Sequence, residues 1–199
     1  MNQVISLSDK KVMVLDTEYD TNPKRLLALA FIVYSVDDES EKKDKFIKYI
    51  KYPENVFKVD ENGDSFQYHK LTNNYLQENG EDVKNVIEDF YNKLDDVDIL
   101  IGQNVVSADI QAIRKEAIGL DLWYGKIRDK LKKIPIYDTM CSFRDRNPDV
   151  KYSLDSIYQF LFSKDMKNHH DALADCKNTF KCFKKMLELE YSFSNQKFK

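Results

Sequence analysis

With 199 residues, 42% of them hydrophobic and 33% charged, the chain has the material for one sizeable core and too little for two large ones. Its net charge of −3 argues against a protein that grips long nucleic-acid duplexes by charge alone, although a strand end held through cations needs few basic contacts. Five glycines and four prolines leave no linker or low-complexity tract, and the longest apolar run, "LLALAFIV" at 26–33, is too short to span a bilayer.

In chain order, the opening "MNQVISLSDKK" has no long apolar run, so no secretory signal is expected. "KVMVLDTE" (11–18) reads as a buried strand, "RLLALAFIVYSV" (25–36) as a second, and "KFIKYIKY" (45–52) as a third that stops at Pro53. "EDVKNVIEDFYNKLDD" (81–96) carries apolar residues at 83, 86, 87, 90 and 94, which is helical spacing. "DILIGQN" (98–104) reads as a short buried strand, and "SADIQAIRKEAIGL" (107–120) as a helix with Ser107 as a plausible cap. "IPIYDT" (134–139) is expected to be a strand, with helices over 153–162 and 171–191. Three strands in succession, then strands alternating with helices, indicate an α/β fold with a mixed sheet. No repeat or second domain is evident, so residues 1–199 are expected to form one domain. Cysteines at 141, 176 and 182 form no CxxC pair, which favours a reducing, intracellular setting without a zinc site.

Acids stand at element boundaries in three separate places. Asp16 and Glu18 lie two apart on the first strand, so their carboxylates share one face. Asp109 follows the fourth strand where a helix begins, and Asp175 lies near the start of the last helix. In open α/β sheets such residues meet beyond the carboxyl ends of the strands. Four converging carboxylates repel one another unless cations separate them. An all-oxygen donor set favours two Mg²⁺ or Mn²⁺ ions, the arrangement suited to displacement at a phosphodiester.

The segments "VLDTE", "HKLTNNYL", "GQNVVSADIQAI", "YDT" and "YSLDSIYQFLF…HHDALADC" resemble, in order, the landmarks of the DnaQ-like 3′–5′ exonucleases of the DEDDh type. The resemblance covers about residues 11–186. It implies an RNase H-like fold, here a mixed five-stranded sheet flanked by helices. It also implies that Asp16, Glu18, Asp109 and Asp175 hold the metal ions and that His170 is the general base. The H-x-A-x-x-D frame selects His170, which has Ala172 and Asp175 at the required offsets; His169 fails that test. His170 is expected in the turn before the last helix, with Asp171 as a cap.

The chain departs from the family pattern at its second acidic motif. Gln103 and Ala108 replace the usual His and Phe, and Asp109 comes five residues after Asn104 rather than four. A wider turn is expected to absorb the extra residue. Ser107 and Asp109 compete for the helix cap. Thr17, Tyr19, His69 and Asn104 are the candidate substrate contacts; Tyr19 fits either stacking on a terminal base or ordinary strand-end packing. Asp138 is read as support for the site rather than as a ligand.

The function implied is metal-dependent release of 5′-mononucleotides from the 3′ end of nucleic acid, single-stranded DNA first. A 3′–5′ exoribonuclease acting on RNA or short oligoribonucleotides is the alternative. A nucleic-acid or protein binding module that keeps the fold without turnover is the rival from another class. Only "YSFSNQKFK" (191–199) follows the last predicted helix, so no polymerase-binding tail is expected.

Overall fold

The computed structural model of the chain describes residue 7 and residues 9–36, 41–166 and 171–189. The candidate base His170, its neighbour His169 and the terminal segment 191–199 lie outside the described residues.

Three long strands open the fold: β1 (Lys10–Thr21), β2 (Lys24–Val36) and β3 (Glu41–Lys51). They are paired antiparallel, β1 with β2 and β2 with β3. Two short helices follow, α1 (Phe66–His69) and α2 (Asn73–Asn79), the latter started by Thr72, whose side chain accepts from the Tyr75 N–H. Then come β4 (Gly80–Asp82), α3 (Val83–Lys93), β5 (Ile99–Gly102) and α4 (Asp109–Gly119). A wide helical turn at Trp123–Ile127 leads into α5 (Arg128–Leu131) and β6 (Ile136–Asp138). The chain ends its described course with α6 (Thr139–Arg146), α7 (Leu154–Phe162) and α8 (Ala172–Glu188).

The strand order is β4-β3-β2-β1-β5-β6, so the sheet is mixed and has six strands where five were expected. The extra strand is β4, parallel to β3 through Tyr49↔Gly80 to Lys51↔Asp82. Three residues are too few to show an alternating pattern, which is why the sequence hides it. Gly80 is required there, because a Cβ would stand 2.7 Å from the Lys51 nitrogen.

Each face of the sheet carries its own apolar layer. Met13, Leu15, Leu29 and Phe31 face Val86, Ile87 and Phe90 of α3 and Ile110 and Ile113 of α4. Val12, Val14, Ile32 and Tyr34 face Phe180, Phe183 and Met186 of α8. β2 is buried on both sides, which accounts for its nearly unbroken apolar run. The Tyr34 and Phe180 rings stack at 3.7 Å between centroids, seating α8 on the sheet. Each such side chain contributes about 1.5–3 kcal/mol on burial.

Several boundaries differ from those expected. The 81–96 helix is α3 followed by a 3₁₀ turn at Leu94–Asp96. The 107–120 helix begins two residues later, at Asp109, with Ala108 in the cap position and no side-chain cap bond. Ser107 is exposed and does not cap. No described helix is long and apolar enough to cross a membrane. All three cysteines are buried thiols.

Candidate active site

β5 pairs with β1 only at Val12–Val14, so beyond Val14 the central strand runs past its parallel neighbour. Asp16, Thr17 and Glu18 follow in that overhang, at the carboxyl side of the parallel strands where ligands collect in such sheets. Alternation places Asp16 and Glu18 on the face shared by Val12 and Val14, towards α8, and Thr17 on the face towards α4. A β-bulge between Glu18 and Tyr19 then shifts the register against β2, from Glu18↔Ala28 to Tyr19↔Leu26.

Asp109 arrives from the α4 side. Asn104 takes a left-handed conformation (φ 58°), and its carbonyl accepts from the Ser107 and Ala108 N–H groups. The Ile110 N–H then reaches back five residues to the Val105 carbonyl at 2.9 Å. This wide turn absorbs the extra residue of the motif and makes Asp109 the first residue of the helix. Asp109 is buried, and its Oδ1 accepts from the Thr17 hydroxyl at 2.7 Å. The first strand thus reaches both layers: carboxylates on one face, and on the other a hydroxyl that holds the carboxylate from α4.

Asp175 arrives from the α8 side, in the first turn of that helix. Asp171 caps it as expected, its Oδ1 accepting from the Ala174 N–H at 2.7 Å. Asp16, Glu18 and Asp175 line one open cleft of about 390 Å³ together with Thr17, Tyr19, Thr21, Asp64, Ser65, Tyr68 and His69.

The carboxylates are close enough to disturb one another. Burial, and then the charges of Asp109, Glu18, Asp175 and Asp171, hold the Asp16 carboxyl well above the ordinary range. Burial and the charges of Asp175, Asp109 and Asp171 push Glu18 up to about 8. Burial raises Asp109 to about 7, against the pull of the Thr17 hydrogen bond. Repulsion of this kind between buried oxygen donors is what bound cations relieve, so the donor set fits hard divalent ions. Among the described residues no three His, Cys, Asp or Glu side chains already stand poised around a single ion.

Of the four candidate substrate contacts, three line the cleft and one does not. Thr17, Tyr19 and His69 are in its wall. Tyr19 is half-buried, with the Lys24 ammonium 4.3 Å above its ring. Asn104 is not among the lining residues: its N–H donates to Asp138 Oδ1 at 3.1 Å, tying down the turn before α4. Asp138 also accepts from the Cys141 N–H at the start of α6, which makes it a structural support, as read from the sequence. Ser65 and Tyr68 were missed. Their signal was the run "DSFQYH", whose helix α1 is only four residues long and too short for periodicity to reveal.

The family model for exonucleases of the RNase T type matches residues 13–183. No curated protein sequence matches the chain. Among solved structures, Escherichia coli exonuclease I in complex with a dT13 oligonucleotide superposes with a TM-score of 0.68 at 16% identity, covering 90% of this chain and 41% of that one. The zinc-bound form of the E. coli exonuclease I complex with single-stranded DNA gives 0.69 at 16% identity, covering 89% and 40%. Exonuclease I from the moderate thermophile Methylocaldum szegediense gives 0.65 at 17% identity, covering 90% and 40%. The chain therefore spans about two fifths of the length of these structures, and at such identities the likeness is one of fold. Exonucleases of this family use divalent metal ions. The match over residues 13–183, on a mixed sheet that gathers Asp16, Glu18, Asp109 and Asp175 at one end, places this chain in the RNase T family of exonucleases.

Proposed function

We propose that the protein is a metal-dependent 3′–5′ exonuclease that releases 5′-mononucleotides from the end of a strand, single-stranded DNA first. The observation that carries this reading is the convergence of Asp16, Glu18 and Asp175 on one cleft, with Asp109 held behind Thr17. Single-stranded DNA is the ligand in the E. coli exonuclease I complexes that this fold resembles. The described strands share one sheet between two covering layers, which supports reading residues 1–199 as a single exonuclease domain. Three buried thiols fit a reducing, intracellular setting.

Asp16, Glu18, Asp109 and Asp175 would hold two Mg²⁺ or Mn²⁺ ions. When bound, such ions supply charge compensation at the phosphodiester and at the departing 3′ oxygen. The chain's own groups supply the rest. Thr17 fixes the Asp109 carboxylate by its hydroxyl. Asp171 starts α8 and so sets the position of Asp175. The His170 imidazole takes the proton from the attacking water, a role to which histidine is suited because an unperturbed imidazole has a pKa of about 6.5. Tyr19 and the exposed Tyr68 present rings on which a terminal base can stack. An acidic protein can handle nucleic acid in this way because it grips one strand end and few phosphates.

Incubating 5′-labelled DNA and RNA oligonucleotides with the protein and Mg²⁺, with and without chelator, tests the reading. A ladder shortening from the 3′ end, abolished by chelator, is the expected result. Chelator-independent binding without cleavage would instead identify a binding module, and faster cleavage of RNA an exoribonuclease.

A further inference from the structure

α4 carries a second buried acid for which the metal reading has no use. Glu116 follows Asp109 by two helical turns and about 20° of phase, so both side chains leave the same side of the helix, about 10 Å apart along its axis. Their buried neighbours on α4 are apolar: Ile110, Ala112, Ile113 and Ala117. A carboxylate set among them needs a partner. Glu116, with only 5% of its side chain exposed, finds one in Arg25, whose Nη1 donates to Oε2 at 3.0 Å. Its other oxygen, Oε1, faces the Leu26 N–H at 3.5 Å. The Leu26 carbonyl accepts from the Tyr52 hydroxyl at 3.0 Å, and the Arg25 guanidinium lies 5.3 Å from the centre of the Tyr52 ring. These contacts fall where β2 departs from the regular ladder. β3 pairs with β2 only as far as Ala28, and β1 skips Leu27 at the bulge.

An apolar residue at 116 would bury as well, but at several neighbouring settings of the helix. A carboxylate facing one guanidinium has a single seat, and fixing one register is the best-attested use of buried polar and ionic groups. α4 is thus tied to the β1–β2 pair at two places: Thr17 holds Asp109 at its start, and Arg25 holds Glu116 two turns later. We propose that Arg25 and Glu116 are positioning residues for Asp109: their ion pair fixes where α4 sits along its own axis against the bulged end of β2, and so sets the Asp109 carboxylate at the level of Asp16 and Glu18. This rests on the reading of Asp109 as a metal ligand and adds to it the device that holds that ligand in place. A helix advances about 1.5 Å per residue, so a slip of a fraction of one step spoils a site for Mg²⁺, which demands near-ideal octahedral geometry.

The test uses the full chain and two readouts besides turnover. One is calorimetric titration with Mn²⁺. The other is hydrogen exchange at the Ile110 and Ala112 amides, whose bonds to the Val105 and Ala108 carbonyls close the start of α4. Glu116→Gln and Arg25→Gln, each checked for folding by circular dichroism, should weaken Mn²⁺ binding by about tenfold and speed exchange at both amides by a similar factor. Arg25→Lys, which keeps the charge and loses the planar fork, should recover part of both. Leu131→Ala, at a buried position on α5 that bears no candidate ligand, is the control: it lowers the Tm and should leave both readouts as in the parent. A folded Glu116→Gln or Arg25→Gln variant with the parent's Mn²⁺ affinity would overturn the proposal. So would an equal loss in Leu131→Ala, which would reduce the pair to a source of general stability. If both glutamine variants fail to fold, Arg25→Lys decides by the same measurements. If the parent binds no Mn²⁺, the metal reading of Asp109 fails separately. Exchange then decides: faster exchange at Ile110 and Ala112 supports the anchoring of α4, and unchanged exchange overturns it.

Discussion

Removing divalent ions should make this protein lose stability as the pH rises through neutrality. Glu18 has its folded-state pKa at about 8 against an ordinary 4.5, and Asp109 at about 7 against 3.8. An acid whose pKa is raised by folding favours the folded state fully while it is protonated in both states. That contribution is lost as pH climbs from the unfolded to the folded pKa. For Glu18 the gap, at about 1.4 kcal/mol per tenfold step, is on the order of 4 to 5 kcal/mol. Solvent in the open cleft screens part of this, which leaves about 2 to 4 kcal/mol. In a chain of this size that corresponds to a fall in Tm of roughly 5 to 15 °C. The assay is a series of thermal melts in chelator between about pH 5 and about pH 8.5, repeated in excess Mg²⁺. The fall should appear in chelator and largely vanish with Mg²⁺, because the ions replace the missing protons. A Tm that is flat or rising across that window in chelator would refute the idea that these carboxylates crowd one another.

Replacing Asp175 by Asn removes the charge that acts most strongly on Glu18. It should abolish turnover, yet raise the Tm in chelator near about pH 8 by a few degrees; a lower Tm there would contradict it. Thr17→Val deletes a hydrogen bond to a buried carboxylate, a loss of about 1.5–3 kcal/mol. The Mg²⁺ concentration for half-maximal rate should rise by about tenfold, and an unchanged value would remove Asp109 from the metal site. His170→Ala should slow release by about 10² to 10⁴, while His169→Ala leaves the single-turnover rate nearly unchanged. Comparable losses in both would mean the reading frame selected the wrong histidine.

What the sequence disclosed follows from how strongly each segment is constrained. β1 and β2 are long and buried in their central stretches and β3 is half-buried from Phe46 to Tyr49, so their patterns were visible, with ends that shifted by at most four residues. The same holds for α3, α7 and α8, whose apolar residues recur at helical spacing. Among the short elements, β5 and β6 were visible as apolar runs, whereas β4, α1, α2, α5 and α6 escaped. β4 and α1 are shorter than the patterns that would reveal them, and α2 buries only Leu76. α6 is announced instead by its cap, Asp138, in a segment read as the end of a strand. At the site, the spacing of Asp16 and Glu18 predicted their shared face. The sequence could not show that Asp109 would reach the site through Thr17, because that contact joins residues 92 positions apart across the sheet. Nor could it show that Asn104 serves the turn rather than the cleft. Its left-handed backbone and its bond to Asp138 exist only once β5 and β6 are paired.

The most direct measurement is a crystal of the protein grown with Mn²⁺ and a short single-stranded DNA, with the metal located by its anomalous scattering. The expected map places ions among Asp16, Glu18, Asp109 and Asp175, beside the last phosphodiester of the strand. Manganese found elsewhere, with those carboxylates apart and the DNA end away from the cleft, would contradict it.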